Sequence, residues 1–464
     1  MPPDHARRPL FQLAWPLLVE NILRTSLMSI DTLMLSHYSP DAVAAMSVAT
    51  QFAFVIQLLY TMVSIGSSVL ITQHLGAGQR AKAGMYGVGS LTLMAAVAVA
   101  LSALVAIGGT LVISVYRLDP PVARYATQFI TLYGGLSVFM AINIAQASIL
   151  RSWGHVRDPM VTNTLCLVLT AGGNALCLFG PFGFPVLGVT GVAASTVASQ
   201  AVACVLSGWM IARRRDIALP IREAARVPRP MYRAILAIGI PTAGENVAYS
   251  LSQIAILGML SGMGTATLAA YGVLLAVLRY VFMPGVSIGG AAQLLVGYLV
   301  GSGEHDDASR RVYRYAALGM ALALGLVTVL ELAHRPVLAL FSDDPRMLDL
   351  AASVLVVALV FEPGRSLNVI VIPALKGAGD VRFPVLVGIA SMWTVGVLGA
   401  WLLGVHFGLG LVGVWIAMAC DEWLRGLTML WRWRSGAWRS RTLVRRGAPG
   451  ATAAVAELDL EEGL

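Results

Sequence analysis

The sequence is short of charged residues, of paired cysteines and of nucleotide-binding motifs. Only 12% of its 464 residues are charged, whereas a soluble domain carries about 25%. Its four cysteines form no CxxC pair and its seven histidines form no HExxH motif. It has no Walker loop and no GxGxxG after a strand. These absences exclude a soluble domain, give no support for an enzyme or a metal site, and predict a protein without a cofactor.

Long hydrophobic runs are abundant instead. The chain is 57% hydrophobic, and runs such as LTLMAAVAVALSALVAIGGTLVISV (91–115) are continuous. About 20 apolar residues span a bilayer as a helix, whereas barrel strands alternate in polarity. The sequence therefore predicts an all-α polytopic membrane protein with twelve transmembrane helices, at 10–35, 44–73, 85–116, 125–150, 160–180, 187–212, 232–261, 267–300, 312–341, 348–375, 384–405 and 409–431.

The positive charges lie mostly on one side of these helices. Most of the 32 Lys and Arg fall in alternate loops, and only Arg117, Arg124, Arg335 and Arg346 fall in the others. The positive-inside rule then places both termini in the cytoplasm. We expect a multi-pass protein of the bacterial cytoplasmic (inner) membrane, a monomer in the lipid bilayer. The net charge of +8 has this topological explanation and predicts no nucleic-acid partner.

The sequence repeats itself at a constant spacing, equal to the separation between Pro16 and Pro241. We call this separation the repeat offset. In the first helix the matches are Pro16 with Pro241, Glu20 with Glu245 and Asn21 with Asn246. At the same offset LRSWGHVRDP (150–159) falls on LKGAGDVRFP (375–384), and LGVTGV (187–192) falls on LGLVGV (409–414) after a slip of three positions. Six spans return the chain to the same side, so the copies are parallel repeats related by a pseudo-twofold axis along the membrane normal.

The repeat predicts two six-helix bundles, a 6+6 arrangement. We expect an N-lobe at 1–212, a basic cytoplasmic linker at 213–231, a C-lobe at 232–432 and a mobile cytoplasmic tail at 433–464. The linker contains an arginine-rich run, whose simplest interpretation is a loop that faces solvent and lipid headgroups.

Three charges lie inside the first predicted span. Glu20, Arg24 and Asp31 are separated by steps of four and seven positions, which places them on one helix face. A charge in the bilayer is costly and must face water, protein or a partner. One interpretation is a static Glu20–Arg24 ion pair, with Asp31 near the outer end of the helix. The other is that Asp31 is a functional carboxylate that takes up and releases a proton or binds an ion.

In the second lobe Glu245 has no charged neighbour on its own helix, because Tyr249 and Ile256 replace the Arg and Asp. Arg279 or Arg365 are candidates to neutralise Glu245 in a second-lobe cavity. Alternatively, Glu362 and Arg365 pair with each other, because they are three positions apart. Asp421, Glu422 and Arg425 are interpreted as structural or interfacial residues toward the cytoplasmic end of the last helix.

These motifs together resemble the multidrug and toxic compound extrusion (MATE) transporters. The resemblance rests on Pro16 followed by IDTLMLSHYSPDAVAAMSVATQ, on LGAGQRAKA (75–83) and GAGDVRFP (377–384), and on GVTGVAAST (188–196). It covers about 10–432. It implies an antiporter that exports drugs, xenobiotics or other amphipathic and cationic small molecules by alternating access, in exchange for H⁺ or Na⁺. It also implies two lobes around a V-shaped cavity.

The resemblance also implies site residues. Asp31 matches the first-helix Asp of the family's cation site, Asn174 matches its Asn and Thr196 its Thr. Leu178 stands where the family has a second Asp, which favours H⁺ over Na⁺ as the coupling ion. Arg24 stands where the family often has a neutral polar residue such as Gln. Two roles are open for its positive charge: it tunes coupling near Asp31, or it favours an anionic group on the substrate. Kinking at Pro16, and at its counterpart Pro241, is implied in gating, although a static bend is the alternative.

Two other functions remain open. A flippase of lipids or lipid-linked precursors in the same superfamily is disfavoured by twelve rather than fourteen spans, but intramembrane Arg24 and Arg279 favour it slightly. A channel or non-transporting receptor is disfavoured by the pseudo-symmetric lobes and the carboxylate in one lobe only.

Overall fold

The computed structural model describes residues 9–115, 118–183 and 185–444, and every regular element in these ranges is a helix. The side chains of 27–32, 106, 109–115 and 182 lie outside this description. The predicted all-α class is confirmed.

The described residues of the first half form seven helices: α1 (Leu10–Tyr38), α2 (Pro40–Gly76), α3 (Arg80–Val115), α4 (Pro120–Gly135), α5 (Val138–Ser152), α6 (Arg157–Phe179) and α7 (Gly188–Arg213). Helices α4 and α5 meet at a bend of 49°. Together they form the single span predicted at 125–150. Gly134 and Gly135 end α4, and glycine lowers the cost of breaking a helix there.

The second half, also in the described residues, forms α8 (Arg229–Ser261), α9 (Thr265–Ser302), α10 (His305–Leu332), α11 (His334–Ala339), α12 (Pro345–Gly377), α13 (Arg382–His406) and α14 (Gly410–Arg434). Two stretches of α13, Met392–Val397 and Trp401–His406, are π-helical. Such stretches are rare and are frequent at functional sites.

The helix boundaries follow the sequence repeat. Helices α9, α10, α12 and α13 begin one repeat offset after α2, α3, α4 and α6, respectively. The pair α4–α5 therefore corresponds to the continuous α12, and α3 corresponds to α10 with α11. We call α1–α7 the N-lobe and α8–α14 the C-lobe. The predicted twelve spans in two six-span bundles are confirmed.

The helices suit a membrane. Eight single helices and the α4–α5 pair are long and apolar enough to cross one, and α1, α8 and α14 complete the twelve spans. Large apolar side chains are exposed on the outer surface, among them Ile107 and Val205. Because a soluble surface rarely carries such a continuous apolar face, the chain is a multi-pass membrane protein.

Among the described residues, the two lobes share a hydrophobic core toward one side. We call the side with the Arg-rich loops the basic face. On that side one core contains residues of both lobes, including Leu75, Leu150, Leu299 and Leu375. Toward the opposite face each lobe has its own core, around Leu35 and Val192 in the N-lobe and around Leu260 and Leu411 in the C-lobe. The lobes therefore close at the basic face and separate away from it.

Two equivalent glycines allow the closest approach of the lobes. A Cβ on Gly76 of α2 would lie 2.1 Å from the carbonyl oxygen of Tyr298 on α9. A Cβ on Gly301 of α9 would lie 2.0 Å from the carbonyl oxygen of Gln73 on α2. Gly301 and Tyr298 are the repeat counterparts of Gly76 and Gln73, so the two contacts are related by the pseudo-twofold axis. Only glycine permits this backbone distance.

The chain continues past α14 in contact with the bundle. Ala437–Arg441 form a 3-10 helix, and Trp438 within it is fully buried. The described part of the predicted tail is thus packed, and 445–464 lie outside the described residues. The predicted linker contains another 3-10 helix, Ile221–Arg226.

Candidate functional site

Glu20 forms an ion pair between helices in the N-lobe. Both of its carboxylate oxygens lie 3.2 Å from Nη1 of Arg151, at the end of α5. Asn163 Nδ2 on α6 donates to Glu20 Oε1 at 2.7 Å. The carboxylate therefore ties α1 to two neighbouring helices of its own lobe.

The proposed Glu20–Arg24 pair is not formed. An i, i+4 spacing allows such a pair, but Arg151 and Asn163 take the carboxylate, and Arg24 is exposed. Arg151 comes from another helix and approaches both carboxylate oxygens of Glu20. This contact explains why Glu20 pairs with Arg151 and not with Arg24. Asp31 lies on α1, but its side chain is outside the described residues.

Asn174 and Thr196 lie on the facing helices α6 and α7. The helices approach closely beside them, since a Cβ on Gly173 would lie 2.1 Å from Ser195 Oγ. Asn174 is buried, and Thr196 Oγ1 donates to the Val192 carbonyl at 2.9 Å. Each of these two predicted residues thus directly follows a residue of the close contact between α6 and α7.

Glu245 of the C-lobe repeats the ion pair of Glu20. Lys376 Nζ at the end of α12 donates to Glu245 Oε2 at 2.6 Å, and Lys376 is the repeat counterpart of Arg151. The expectation that Arg279 or Arg365 neutralises Glu245 is wrong. Arg279 is exposed, and the end of the fourth span supplies the cation in both lobes.

A larger group of charges lies inside the C-lobe. Arg425 on α14 contacts Asp421 at 2.7 Å and Glu422 at 2.8 Å. Arg365 on α12 contacts Glu362 at 3.3 Å, which is the alternative pairing left open by the sequence. We call these five residues the C-lobe charge network. It contains three carboxylates and only two guanidinium groups.

Polar side chains orient this network. Asn368 Nδ2 donates to Glu422 at 2.7 Å, and Ser391 Oγ donates to Asp421. Ser391 directly precedes the first π-helical stretch of α13. Two neighbouring helices, α12 and α13, therefore hold the carboxylates of α14 in fixed positions.

Four members of the network, all except Glu362, line a cavity. The cavity is small in this conformation, with a volume of about 40 Å³. Its wall also includes three aromatic side chains, Tyr249, Phe361 and Trp415, while Arg365 lies 3.6 Å from the Phe282 ring centroid. Apolar walls with charges of both signs suit an amphipathic molecule, but the cavity must widen before it can hold one.

The prediction that Asp421, Glu422 and Arg425 lie toward the cytoplasmic end of the last helix is wrong. They are buried in the middle of α14, not near its end. The repeat contained a signal for them, because their N-lobe counterparts after the slip of three positions are Ser199, Gln200 and Ala203. Arg24 and Asp31 share this property, because their repeat counterparts are also uncharged.

Predicted gating residues Pro16 and Pro241 lie inside α1 and α8. Each lies one helical turn before the glutamate that pairs with the basic residue of its lobe. The prolines and the ion pairs therefore occupy matching places in the two lobes.

Comparison with known proteins identifies the fold and the family. The MatE family model matches the chain twice, over 16–176 and 241–402, and the starts of these segments are again separated by the repeat offset. The chain belongs to the MATE family. MATE proteins are transporters, so the resemblance and the expectation that the chain is not an enzyme are both confirmed.

Relatives match over nearly the whole chain. The uncharacterized transporter YisQ of Bacillus subtilis is 33% identical over 431 residues, which cover 92% of this chain and 94% of that relative. The probable multidrug resistance protein NorM of Thermotoga maritima is 27% identical and covers 95% of each chain. This MATE protein is therefore a membrane transporter for small molecules, with relatives named for multidrug resistance.

Solved MATE structures share the fold. An outward-facing multidrug resistance MATE transporter superposes with a TM-score of 0.87 at 18% identity, over 94% of this chain and 98% of that one. A transporter of Pyrococcus furiosus, described as having a binding pocket of reverse polarity, superposes with a TM-score of 0.84 at 18% identity, over 93% and 96%.

Proposed function

We propose that this MATE protein is a secondary antiporter that exports amphipathic or cationic small molecules in exchange for protons, not Na⁺. The observation that carries this proposal is the C-lobe charge network. Its three carboxylates and two guanidinium groups leave one negative charge beside an aromatic-lined cavity.

An uncompensated charge inside a membrane bundle is expensive, about 3 kcal/mol or more at the bilayer centre. A proton on one carboxylate removes this cost, and so does a cationic substrate group. The two therefore compete for one negative charge, which is the physical requirement for exchange. In the N-lobe Asp31, with Asn174 and Thr196, is the other proposed proton site.

Alternating access is supported by the way the lobes join. They share a core at the basic face and have separate cores at the opposite face. With the basic face in the cytoplasm, as the positive-inside rule predicts, the described conformation is open to the outside. Rocking about the glycine contacts of α2 and α9 would then expose the cavity to the cytoplasm.

Transport in proteoliposomes under separately imposed gradients tests the proposal. A fluorescent amphipathic cation is loaded, and either a pH gradient or a Na⁺ gradient is applied. We expect the pH gradient alone to drive its movement. Strict dependence on Na⁺ would overturn proton coupling, and lipid scrambling without cation movement would favour a flippase.

Orientation and oligomeric state are also proposed. We propose cytoplasmic termini and a monomer. A cysteine placed at Ser435 should react with an impermeant maleimide only in inverted vesicles, and light scattering of the purified protein should give the mass of one chain with its detergent. Labelling in intact cells, or the mass of a dimer, would contradict these two proposals.

A further inference from the structure

The segment after the last membrane helix lies across the basic face. We call residues 436–444 the C-terminal strap. Trp438 of the strap is fully buried and stacks on Trp433 of α14 with ring centroids 4.3 Å apart. Its indole Nε1 donates to the Trp433 carbonyl at 2.8 Å. These contacts fix the start of the strap on the C-lobe.

The strap also binds both lobes. Arg439 donates to Asp306, at the start of α10 in the C-lobe, at 2.6 Å. The backbone N–H of Leu443 donates to Gln73 Oε1, near the end of α2 in the N-lobe, at 2.9 Å. The strap therefore connects a C-lobe anchor to an N-lobe side chain.

Gln73 lies where the lobes touch. It is fully buried, and its Nε2 donates to the carbonyl of Gly377 in the C-lobe at 2.8 Å. Its backbone carbonyl faces Gly301 of α9. The same side chain thus joins α2 to the C-lobe directly and, through Leu443, to the strap.

The linker between the lobes makes a different contact. It follows α7 as the strap follows α14, but its Ala218 carbonyl packs against Gly84 of α3, and His155 pairs with its Asp216 at 2.8 Å. Both contacts lie within the N-lobe. The strap reaches from its own lobe to the other one.

We propose that the C-terminal strap is a latch that holds the basic face closed and must release Gln73 before that face opens. When α2 and α9 separate, Gln73 moves away from the Trp438 and Asp306 anchors, so the strap cannot keep contact with both lobes. This inference rests on the proposed alternating access. The latch makes the closed basic face the resting state and sets the rate at which it opens.

Accessibility of Thr72 tests the latch. Thr72 is buried between the lobes, where a Cβ on Gly297 would lie 2.2 Å from its Oγ1. In a full-length chain whose four cysteines are replaced by Ala, Thr72→Cys reports opening through its rate of maleimide labelling. Purified protein in nanodiscs exposes both faces to the reagent.

Two strap variants provide the comparison. Arg439→Glu breaks the exposed ion pair with Asp306 and should raise the labelling rate about two- to fivefold, as expected for the loss of a surface ion pair. Asp306→Arg in the same chain should restore the original rate. Arg441→Glu makes the same charge change on the exposed neighbouring residue Arg441 and should leave the rate unchanged. Trp438→Ala should give a larger increase than Arg439→Glu.

The outcomes are distinct. Equal labelling rates in Arg439→Glu, Trp438→Ala and the parent chain would overturn the latch, and so would an increase in Arg439→Glu that Asp306→Arg does not reverse. If Trp438→Ala does not fold, the Arg439 and Asp306 pair still decides the question. Release-dependent labelling without any transport driven by a pH gradient would support the latch and contradict proton coupling instead.

Discussion

Lys376 donates to Glu245 at 2.6 Å, and the same ion pair occurs in the first repeat between Arg151 and Glu20. Each pair joins the proline-containing first helix of a lobe to the end of its fourth span. The side chains of all four are mostly buried. The two lobes differ elsewhere but both contain this ion pair. We therefore infer that the pair stabilises the structure that the two lobes share. The pairs are not equal, however, since Asn163 supports only Glu20.

Removing Lys376 should destabilise the protein more than removing Arg151. In Lys376→Met, Glu245 loses its cation at a mostly buried site, at a cost of about 3 kcal/mol. In Arg151→Met, Asn163 still donates to Glu20, so the loss should be smaller. The apparent melting temperature of the purified proteins, followed by tryptophan fluorescence, measures both. Lys376→Arg is the control that keeps the charge, and equal losses for the two Met variants would contradict the inequality.

The position of Asn163 corresponds to Gly388 in the C-lobe, and this difference can be exchanged. A Cβ at Gly388 would lie 3.4 Å from Glu245 Oε1, an ordinary contact. Gly388→Asn should therefore supply the missing amide donor and stabilise the C-lobe by about 1 kcal/mol. Gly388→Ala isolates the gain from replacing a helical glycine. If Asn stabilises no more than Ala in thermal unfolding, the added hydrogen bond has not formed.

Much of the fold was predictable, because a single sequence shows both its long apolar runs and its internal repeat at a constant offset. The choice of ion-pair partners was not. Arg151 and Lys376 stand at matching places in the two repeats, but helix packing decides which carboxylate each cation meets. The spacing of Glu20 and Arg24 suggested a local pair instead. The bend near Gly134 was not predictable from the repeat, because the corresponding part of α12 forms one continuous helix.

The same limit explains the C-lobe charge network. Asp421, Glu422 and Arg425 look like charges near a helix end when span limits are uncertain by several residues. Their burial depends on α12 and α13, which are distant in sequence. Only comparison of the two repeats distinguishes them, since the N-lobe lacks charges at these positions.

Substitution of Gly301 should prevent closure of the basic face. In Gly301→Ala the new Cβ would lie 2.0 Å from the carbonyl oxygen of Gln73, and this backbone cannot move without separating the lobes. We expect loss of export and faster labelling of Thr72→Cys. Gly272→Ala on the same helix is the matched control, because no heavy atom lies within 4 Å of its Cβ. Normal export by Gly301→Ala would show that closure tolerates wider spacing.

Neutralising Asp31 should abolish export without unfolding the protein. Asp31→Asn is nearly isosteric but cannot exchange a proton near neutral pH. We expect normal membrane insertion and an unchanged melting temperature, with export in energised vesicles reduced to the background level. Glu362→Gln tests the C-lobe charge network in the same assay. Full export by Asp31→Asn would remove Asp31 from the coupling mechanism.

Proton release on substrate binding tests the central claim most directly. Purified protein is placed in weakly buffered solution with a pH indicator, and an amphipathic cation is added. We predict that substrate displaces protons from the wild-type protein, and that the release is lost or reduced in Asp31→Asn or Glu362→Gln. Substrate binding with no proton release at any pH between about 5 and 8, where shifted carboxylates titrate, would contradict proton-coupled exchange.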